Sequence, residues 1–132
     1  MQGKVLVVDD EESMRGILHD ILEKEGYEVL LAEGAKDAME IIAKEKEITC
    51  AFLDLKLFGS NGIELCRAIR KSHPLTIVYA MTGWLGLFEI EECREAGFDD
   101  YFPKPLRRET IFRAVDAAKE KRDRWETVRS RI

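Results

Sequence analysis

Five short apolar segments, each followed by a longer segment with helical spacing, constrain the fold of this chain more than any other feature. The apolar segments have the length of strands and lie at Val5–Val8, Val29–Ala32, Ala51–Leu53, Ile77–Met81 and Tyr101–Phe102. Because they are almost continuously apolar, they are typical of strands that are buried on both faces. Parallel strands need crossover connections, which are usually helices. The pattern therefore predicts an α/β fold in which helices cover both faces of a parallel sheet.

The segments between the strands have the spacing of amphipathic helices, with apolar residues at i, i+3, i+4 and i+7. Gly26 follows the first of them as a stop signal. We expect the following apolar residues to face the sheet: Met14, Ile17, Leu18, Ile21 and Leu22; Ala35, Ala38, Met39, Ile42 and Ala43; Ile63, Leu65, Cys66 and Ile69; and Leu87, Ile90, Cys93 and Ala96.

The last helical segment begins at Arg107 and is unusually long. Its repeat, in steps of four and three, consists of Ile111, Val115, Ala118, Arg122 and Trp125. If the helix continues to Ile132, it contains about 26 residues and measures ~39 Å at 1.5 Å per residue. A domain of this size needs less than that for its cover. We therefore expect a domain over residues 1–120 and a helical extension or linker over residues 121–132.

Composition limits the function classes. The chain has 132 residues and a formal charge of −5, and it lacks both a run of ~20 apolar residues and the apolar core of a secretory signal. We therefore expect a cytoplasmic protein without membrane contacts. Its three cysteines form no C-x-x-C pair and are interpreted as core residues. The basic segment 103–132 favours a solvated helix, and without a helix-turn-helix motif we expect no direct nucleic-acid binding.

Polar residues follow four of the five predicted strands. The first strand ends in Asp9 and Asp10, the third in Asp54, the fourth in Thr82, and the fifth runs into Lys104. In open α/β sheets the functional site lies outside the carboxyl ends of the strands. We expect these side chains to share one pocket, and we assign the next two acids of the first segment, at positions 11 and 12, to the start of the first helix.

Three neighbouring carboxylates require a cation or raised pKa values, because each disfavours the ionisation of the others. Asp9, Asp10 and Asp54 offer only hard oxygen ligands, which favours Mg²⁺ or Mn²⁺ over zinc. We expect His19 and His73 to be solvated or half-buried rather than ligands.

Magnesium next to a reactive carboxylate favours phosphoryl chemistry. Asp54 is the candidate nucleophile, since an aspartate can form an acyl phosphate. Lys104 is the candidate for stabilising the charge of the phosphoryl oxygens, and the Thr82 hydroxyl can donate to one of them.

The order of these residues resembles the receiver domain of two-component response regulators over about residues 3–120. The motifs that carry the resemblance are the pair Asp9-Asp10, the stretch FLDLKLFGSNGIEL around Asp54, AMTG with Thr82, and DYFPKP with Lys104-Pro105. It implies a single-domain, flavodoxin-like (βα)5 sandwich of three layers with strand order 2-1-3-4-5.

The resemblance also implies a function. Asp54 would receive a phosphoryl group from a histidine kinase or a phosphotransfer protein. Mg²⁺ would be bound directly by Asp10 and Asp54, through water by Asp9, and by the main-chain oxygen of Lys56. Such a domain is not an enzyme beyond assisting its own phosphotransfer and autodephosphorylation.

In this family phosphorylation operates a switch, which here would consist of Thr82 moving toward the phosphoryl group and Tyr101 turning inward. The responding surface would be the fourth helix, fifth strand and fifth helix, roughly residues 84–118, read by an effector domain or protein. A homodimer would use that surface or the C-terminal helix. The Lys104-Pro105 bond is expected to be cis. The sequence is compatible both with a module of a longer regulator and with a single-domain protein.

Some positions depart from the family pattern. Phe58 stands where proline is usual in the family, so the resemblance does not fix the shape of the loop after Asp54. Pro103 requires that the fifth strand stops at residue 102 or lies where the missing N–H is not needed. Lys56 and Trp84 occupy positions that the family uses to tune hydrolysis, and our hypothesis is that this bulky pair shields the acyl phosphate from water.

Three alternative readings have their own signatures. A Mg²⁺-dependent aspartyl-phosphate phosphohydrolase would carry a D-x-D motif after the first strand, whereas Asp9 and Asp10 are adjacent. A flavodoxin-like or dinucleotide-binding module would have Gly, Ser or Thr there. A phosphorylation-independent scaffold would have lost a site residue.

Overall fold

The computed structural model describes residues 2–57, 60–83 and 87–132, with the backbone alone at residues 60, 87 and 88. Two residues named in the sequence predictions lie outside the described residues. They are Phe58, in the loop after Asp54, and Trp84, with its predicted role in tuning hydrolysis. The strands of the main sheet are β1 (Lys4–Val8), β2 (Glu28–Ala32), β3 (Cys50–Asp54), β4 (Ile77–Thr82) and β5 (Asp100–Pro103). The helices are α1 (Glu12–Lys24), α2 (Ala35–Lys44), α3 (Gly62–Ser72), α4 (Leu87–Ala96) and α5 (Arg108–Arg129).

The main sheet has five parallel strands in the order β2-β1-β3-β4-β5, which confirms the predicted α/β fold and strand order. A separate antiparallel pair, Lys56–Leu57 with Ser60–Asn61, lies between β3 and α3. The chain leaves β1 toward β2 on one side and later returns to place β3 on the other. This is the topological switch point at which α/β sheets bind ligands.

The register brings the strand ends to one level. Val8 of β1 pairs with Leu53 of β3, and Thr82 of β4 pairs with Pro103 of β5. The residues that follow these pairs therefore leave the sheet side by side. We call this side, where β1, β3, β4 and β5 end, the carboxyl edge.

The core consists of two layers separated by the sheet, because successive side chains of a strand point to opposite faces. Leu6, Val8 and Leu53 face α2, α3 and α4, whereas Val7 and Phe52 face α1 and α5. All of these side chains are fully buried. The three cysteines are buried and free, as expected for core residues.

The buried face of the helices is narrower than the apolar pattern of the sequence predicted. Ile17, Met39 and Ile90 were expected to face the sheet, but they are 47%, 44% and 44% exposed. They lie at the margins of their stripes, where a helix on a sheet turns toward solvent. Trp125 is 54% exposed for a different reason: α5 has 22 residues, or ~33 Å, and extends past strands of ~16 Å.

Pro103 belongs to β5, so the strand does not stop at residue 102. Pro103 instead lies where its missing N–H is not needed, which was the other expected outcome. β5 is an edge strand with β4 as its neighbour, and the next ladder bond comes from the Lys104 N–H to the Thr82 oxygen at 2.9 Å. The missing N–H of Pro103 is therefore not needed. Within the described residues, no helix combines the length and apolar character that crossing a membrane requires.

Candidate functional site

Three aspartates meet at the carboxyl edge. One carboxylate oxygen each of Asp9, Asp10 and Asp54 lies within 4.8 Å of the others. Asp9 and Asp54 are buried, whereas Asp10 is exposed. The register of β1 and β3 produces this arrangement, because Asp9 directly follows the residue that pairs with Leu53.

Lys104 extends into the middle of these acids. Its Nζ donates hydrogen bonds to Asp54 Oδ2 at 2.8 Å and to Glu11 Oε1 at 3.1 Å, and it lies 2.8 Å from Asp9 Oδ2. Burial by itself lowers the pKa of the ammonium group, but the hydrogen bond to Asp54 and the charge of Asp9 outweigh burial and raise the pKa of Lys104 above its ordinary value. The side chain is therefore a fixed cation at neutral pH.

Asp9 is the acid in the least favourable position for a charge. Burial raises its pKa above the usual value, while Lys104 and the Glu11 N–H, which donates to Oδ1 at 2.9 Å, act in the opposite direction. Oδ2 is buried, and the Lys104 ammonium lies 2.8 Å from it as an ion-pair partner. One ammonium group only partly neutralises a buried carboxylate that has two other acids beside it, so the site suits a second cation.

Asp54 is held by local backbone geometry. Its Oδ1 accepts a hydrogen bond from the Lys56 N–H at 3.0 Å. Helix α3 approaches the end of β3 so closely that a Cβ on Gly62 would lie 2.4 Å from the Asp54 main-chain oxygen. The preceding Asn61 caps α3 by accepting a hydrogen bond from the Glu64 N–H at 2.9 Å. Glycine at position 62 therefore keeps the helix start and the acidic site together.

The remaining predicted site residues differ in how far they are buried. Thr82 is buried at the end of β4, next to the acids, whereas Tyr101 on β5 is 38% exposed. Lys56 is exposed, and its N–H contacts Asp54 as described above. The Lys104-Pro105 peptide bond is cis, as expected.

Sequence reasoning missed two contacts of the site. Glu11 was assigned to the helix start, but its side chain makes no capping hydrogen bond and instead binds Lys104. Arg15 Nη1 donates to the main-chain oxygen of Asp9 at 2.8 Å. Arg15 lies one helical turn after Glu11, and this spacing was the only signal in the sequence.

A family model for the response regulator receiver domain matches residues 5–116. The chain belongs to that family. Receiver domains are the phosphoacceptor switches of two-component systems, and in general they bind Mg²⁺ at an acidic pocket. This receiver domain also has a cluster of aspartates, which lies at the carboxyl edge.

Solved structures agree with this assignment. A CheY-like response regulator receiver domain protein from Methanospirillum hungatei JF-1 is 28% identical, with a TM-score of 0.88 over 92% of this chain and 97% of that one. The BeF3-activated DrrB receiver domain is also 28% identical, with a TM-score of 0.82 over 91% and 99%. NtrX from Brucella abortus, in complex with ATP, is 29% identical, with a TM-score of 0.87 over 97% of this chain but only 29% of its own length.

Proposed function

We propose that this receiver domain is a phosphorylation-dependent signalling switch that takes a phosphoryl group onto Asp54 from a histidine kinase or a phosphotransfer protein. The observation that carries the proposal is the set of charged groups around the Asp54 carboxylate. Its Oδ2 is bound by the Lys104 ammonium at 2.8 Å, and its carboxylate adjoins those of Asp9 and Asp10. This arrangement combines a nucleophile, a fixed cation and a set of metal ligands in one place.

The residues at the carboxyl edge fit a divalent cation. Their donors are hard carboxylate oxygens, and the single positive charge of Lys104 does not balance three neighbouring carboxylates. Asp10, Asp54 and the main-chain oxygen of Lys56 would hold Mg²⁺, or Mn²⁺ in its place, with Asp9 acting through water. When bound, the cation supplies neutralisation of the charge on the phosphoryl oxygens.

The chain's own residues then perform the transfer. A carboxylate oxygen of Asp54 forms the new P–O bond while the P–N bond to the donor histidine breaks, and the departing imidazole nitrogen keeps the electron pair and takes up a proton. The Lys104 ammonium is held beside Asp54 and donates to a phosphoryl oxygen. The hydroxyl of Thr82, at the end of the adjacent strand, donates to another.

The switch would follow from the phosphoryl group drawing Thr82 toward Asp54. Tyr101 then turns inward from its exposed position on β5. A cavity of about 240 Å³, lined in part by Ala80, Cys93, Phe98 and Tyr101 itself, lies beside this side chain and has room for its ring. The surface of α4, β5 and α5 changes as the ring enters, and a partner reads that change.

We further propose that residues 1–120 form the receiver unit and that residues 121–132 are a helical extension or linker. Trp125 and Val128, on the part of α5 beyond the sheet, are 54% and 50% exposed, which supports a contact outside the domain. The output would be an effector domain or protein. A homodimer would form through the surface of α4, β5 and α5 or through the end of α5.

Phosphorylation with a small donor tests the proposal. The protein is incubated with Mg²⁺ and acetyl phosphate, and its intact mass is measured. We expect one added phosphoryl group, no addition to Asp54→Asn, and normal addition to the control Asp37→Asn, which removes an exposed carboxylate from α2.

Two outcomes would contradict the switch. Catalytic release of phosphate from many esters would favour a phosphohydrolase. The absence of any adduct in the natural sequence would favour a phosphorylation-independent scaffold.

A further inference from the structure

One arginine on α5 is largely buried without a hydrogen bond. Among the described residues, Arg122 Nε is a buried side-chain donor without a hydrogen-bond partner. The Arg122 side chain is only 13% exposed, and its contacts with Glu47 and Glu126 measure 4.0 and 3.9 Å, beyond hydrogen-bond distance. A guanidinium group that is mostly buried without hydrogen bonds is costly. Arg122 therefore has donors that the chain's own groups do not use.

Arg122 lines a cavity of about 160 Å³ at the edge of the sheet opposite to the carboxyl edge. The other walls are residues 46–48, which lead into β3, residues 72–76, which lead into β4, and Arg129 on α5. We call this space the amino-edge cavity. One water molecule needs about 10–15 Å³ of such space, so the cavity can hold a small polyatomic ion.

Hydrogen bonds hold the cavity walls in place. The ring of His73 donates a hydrogen bond from Nε2 to the main-chain oxygen of Glu45, and its Nδ1 lies 2.7 Å from the Ser72 hydroxyl. The Thr76 hydroxyl donates to the Ile48 oxygen at 2.6 Å. His73 is thus buried, contrary to the sequence-based expectation of a solvated or half-buried side chain. The cavity has its shape before any ligand arrives, which lowers the entropic cost of binding.

The charges around the cavity favour an anion. Lys46, Arg122 and Arg129 line it, and Arg129 is bonded to Glu126 through both carboxylate oxygens, at 2.7 and 2.6 Å. Glu47 is 68% exposed and approaches the two arginines only to 4.0 and 3.8 Å, so its carboxylate can turn to solvent. With Glu47 turned away, a surplus of two positive charges remains.

We propose that the amino-edge cavity binds a phosphate dianion, either free or as the terminal group of a phosphate ester, with Arg122 as its main ligand. The planar guanidinium group can donate two parallel hydrogen bonds to two phosphate oxygens. Strand β3 has five residues, or ~16 Å, so the cavity is well separated from Asp54 and the proposal does not depend on phosphorylation.

A titration with inorganic phosphate tests this site. The ¹H–¹⁵N spectrum of the full chain is recorded without Mg²⁺ at constant ionic strength. We expect saturable shifts of the amides at 46–48, 72–73 and 75–76, and at least tenfold weaker affinity in Arg122→Gln. The control Arg124→Gln removes the same charge from an exposed position of the same helix and should change the affinity less than twofold.

Arg129→Gln is the second variant, because Arg129 is 53% exposed and its loss should leave the fold intact while it weakens phosphate binding. Phenyl phosphate separates the two sources of the ligand: affinity equal to that of inorganic phosphate assigns the site to an ester, and tenfold weaker affinity assigns it to the free ion. The proposal is overturned by the absence of saturable shifts, by shifts confined to the carboxyl edge, or by equal effects of Arg122→Gln and Arg124→Gln.

Discussion

The two edges of the sheet have opposite electrostatic problems. At the carboxyl edge, Asp9 and Asp54 are buried acids, and Lys104 contacts both at 2.8 Å. At the amino edge, Arg122 is a largely buried cation whose nearest acids, Glu47 and Glu126, stay 4.0 and 3.9 Å away. At the carboxyl edge the ammonium of Lys104 therefore partly neutralises the acids, whereas at the amino edge the guanidinium of Arg122 lacks a close counter-ion.

The difference shows why burial of charge alone does not identify a function. The ammonium of Lys104 contacts both buried acids at the carboxyl edge, so their charge is partly neutralised without a ligand. The guanidinium of Arg122 makes no hydrogen bond within the described part of the chain, and only an added anion or water can use its donors. The two edges should consequently respond in different ways to loss of their central cation.

The largest expected effect is a contrast between Lys104→Met and Arg122→Met. Loss of Lys104 leaves two buried carboxylates without their cation, which should lower the free energy of unfolding by about 3 kcal/mol at neutral pH. Loss of Arg122 removes a group without hydrogen bonds and should change it by less than about 1 kcal/mol. Urea unfolding in metal-free buffer measures both values, and equal losses would break the comparison.

A smaller effect is expected on the lifetime of the acyl phosphate. If Lys56 and Trp84 shield the phosphoryl group, Lys56→Ala and Trp84→Ala should each speed dephosphorylation by about tenfold, or ~1.4 kcal/mol of barrier. The decay of the phosphorylated mass after removal of the donor gives the rate. Lys71→Ala, on the exposed side of α3, is the matched control. Unchanged rates in both variants would refute the shielding hypothesis.

The smallest effect concerns Asp9→Asn. Because burial raises the pKa of Asp9 in the folded state, the folded protein binds this proton more tightly than the unfolded chain does. The contribution of Asp9 to stability therefore falls as pH rises from the unfolded pKa, about 3.9, through the folded one. At pH 7 without metal, the variant should melt about 2–5 °C above the natural protein, and the difference should vanish in acid.

Magnesium supplies the control for that experiment. It should raise the melting temperature of the natural protein more than that of Asp9→Asn, because a ligand stabilises the state that binds it. A variant that melts lower at neutral pH, or that responds equally to Mg²⁺, would contradict the electrostatic account of the carboxyl edge.

Much of the fold and the convergence at the carboxyl edge could be predicted, because both follow from local patterns. Near-continuous apolar strands imply a parallel sheet, and parallel strands bring their carboxyl ends to one side. The sequence alone therefore predicts that Asp9, Asp54, Thr82 and Lys104 lie together. The sequence position of each residue, immediately after a strand, carried the information.

The amino-edge cavity could not be predicted in this way. Arg122 continued the helical repeat of Ala118 and Trp125, so the sequence indicated only a position on the inner face of α5. The cavity arises where two loops distant in the chain meet that helix, and His73 fixes one loop to the other. The contact of Glu11 could not be predicted either. Its side chain binds Lys104, which is 93 positions away, rather than capping α1.

The central claim is that the phosphoryl group is carried by Asp54, and chemical trapping tests it most directly. After reaction with acetyl phosphate and Mg²⁺, reduction with borohydride converts an aspartyl phosphate to homoserine, which tandem mass spectrometry locates in the chain. The account predicts homoserine at position 54 alone. Homoserine at position 9 or 10, or none anywhere in a protein that has gained a phosphoryl group, would contradict it.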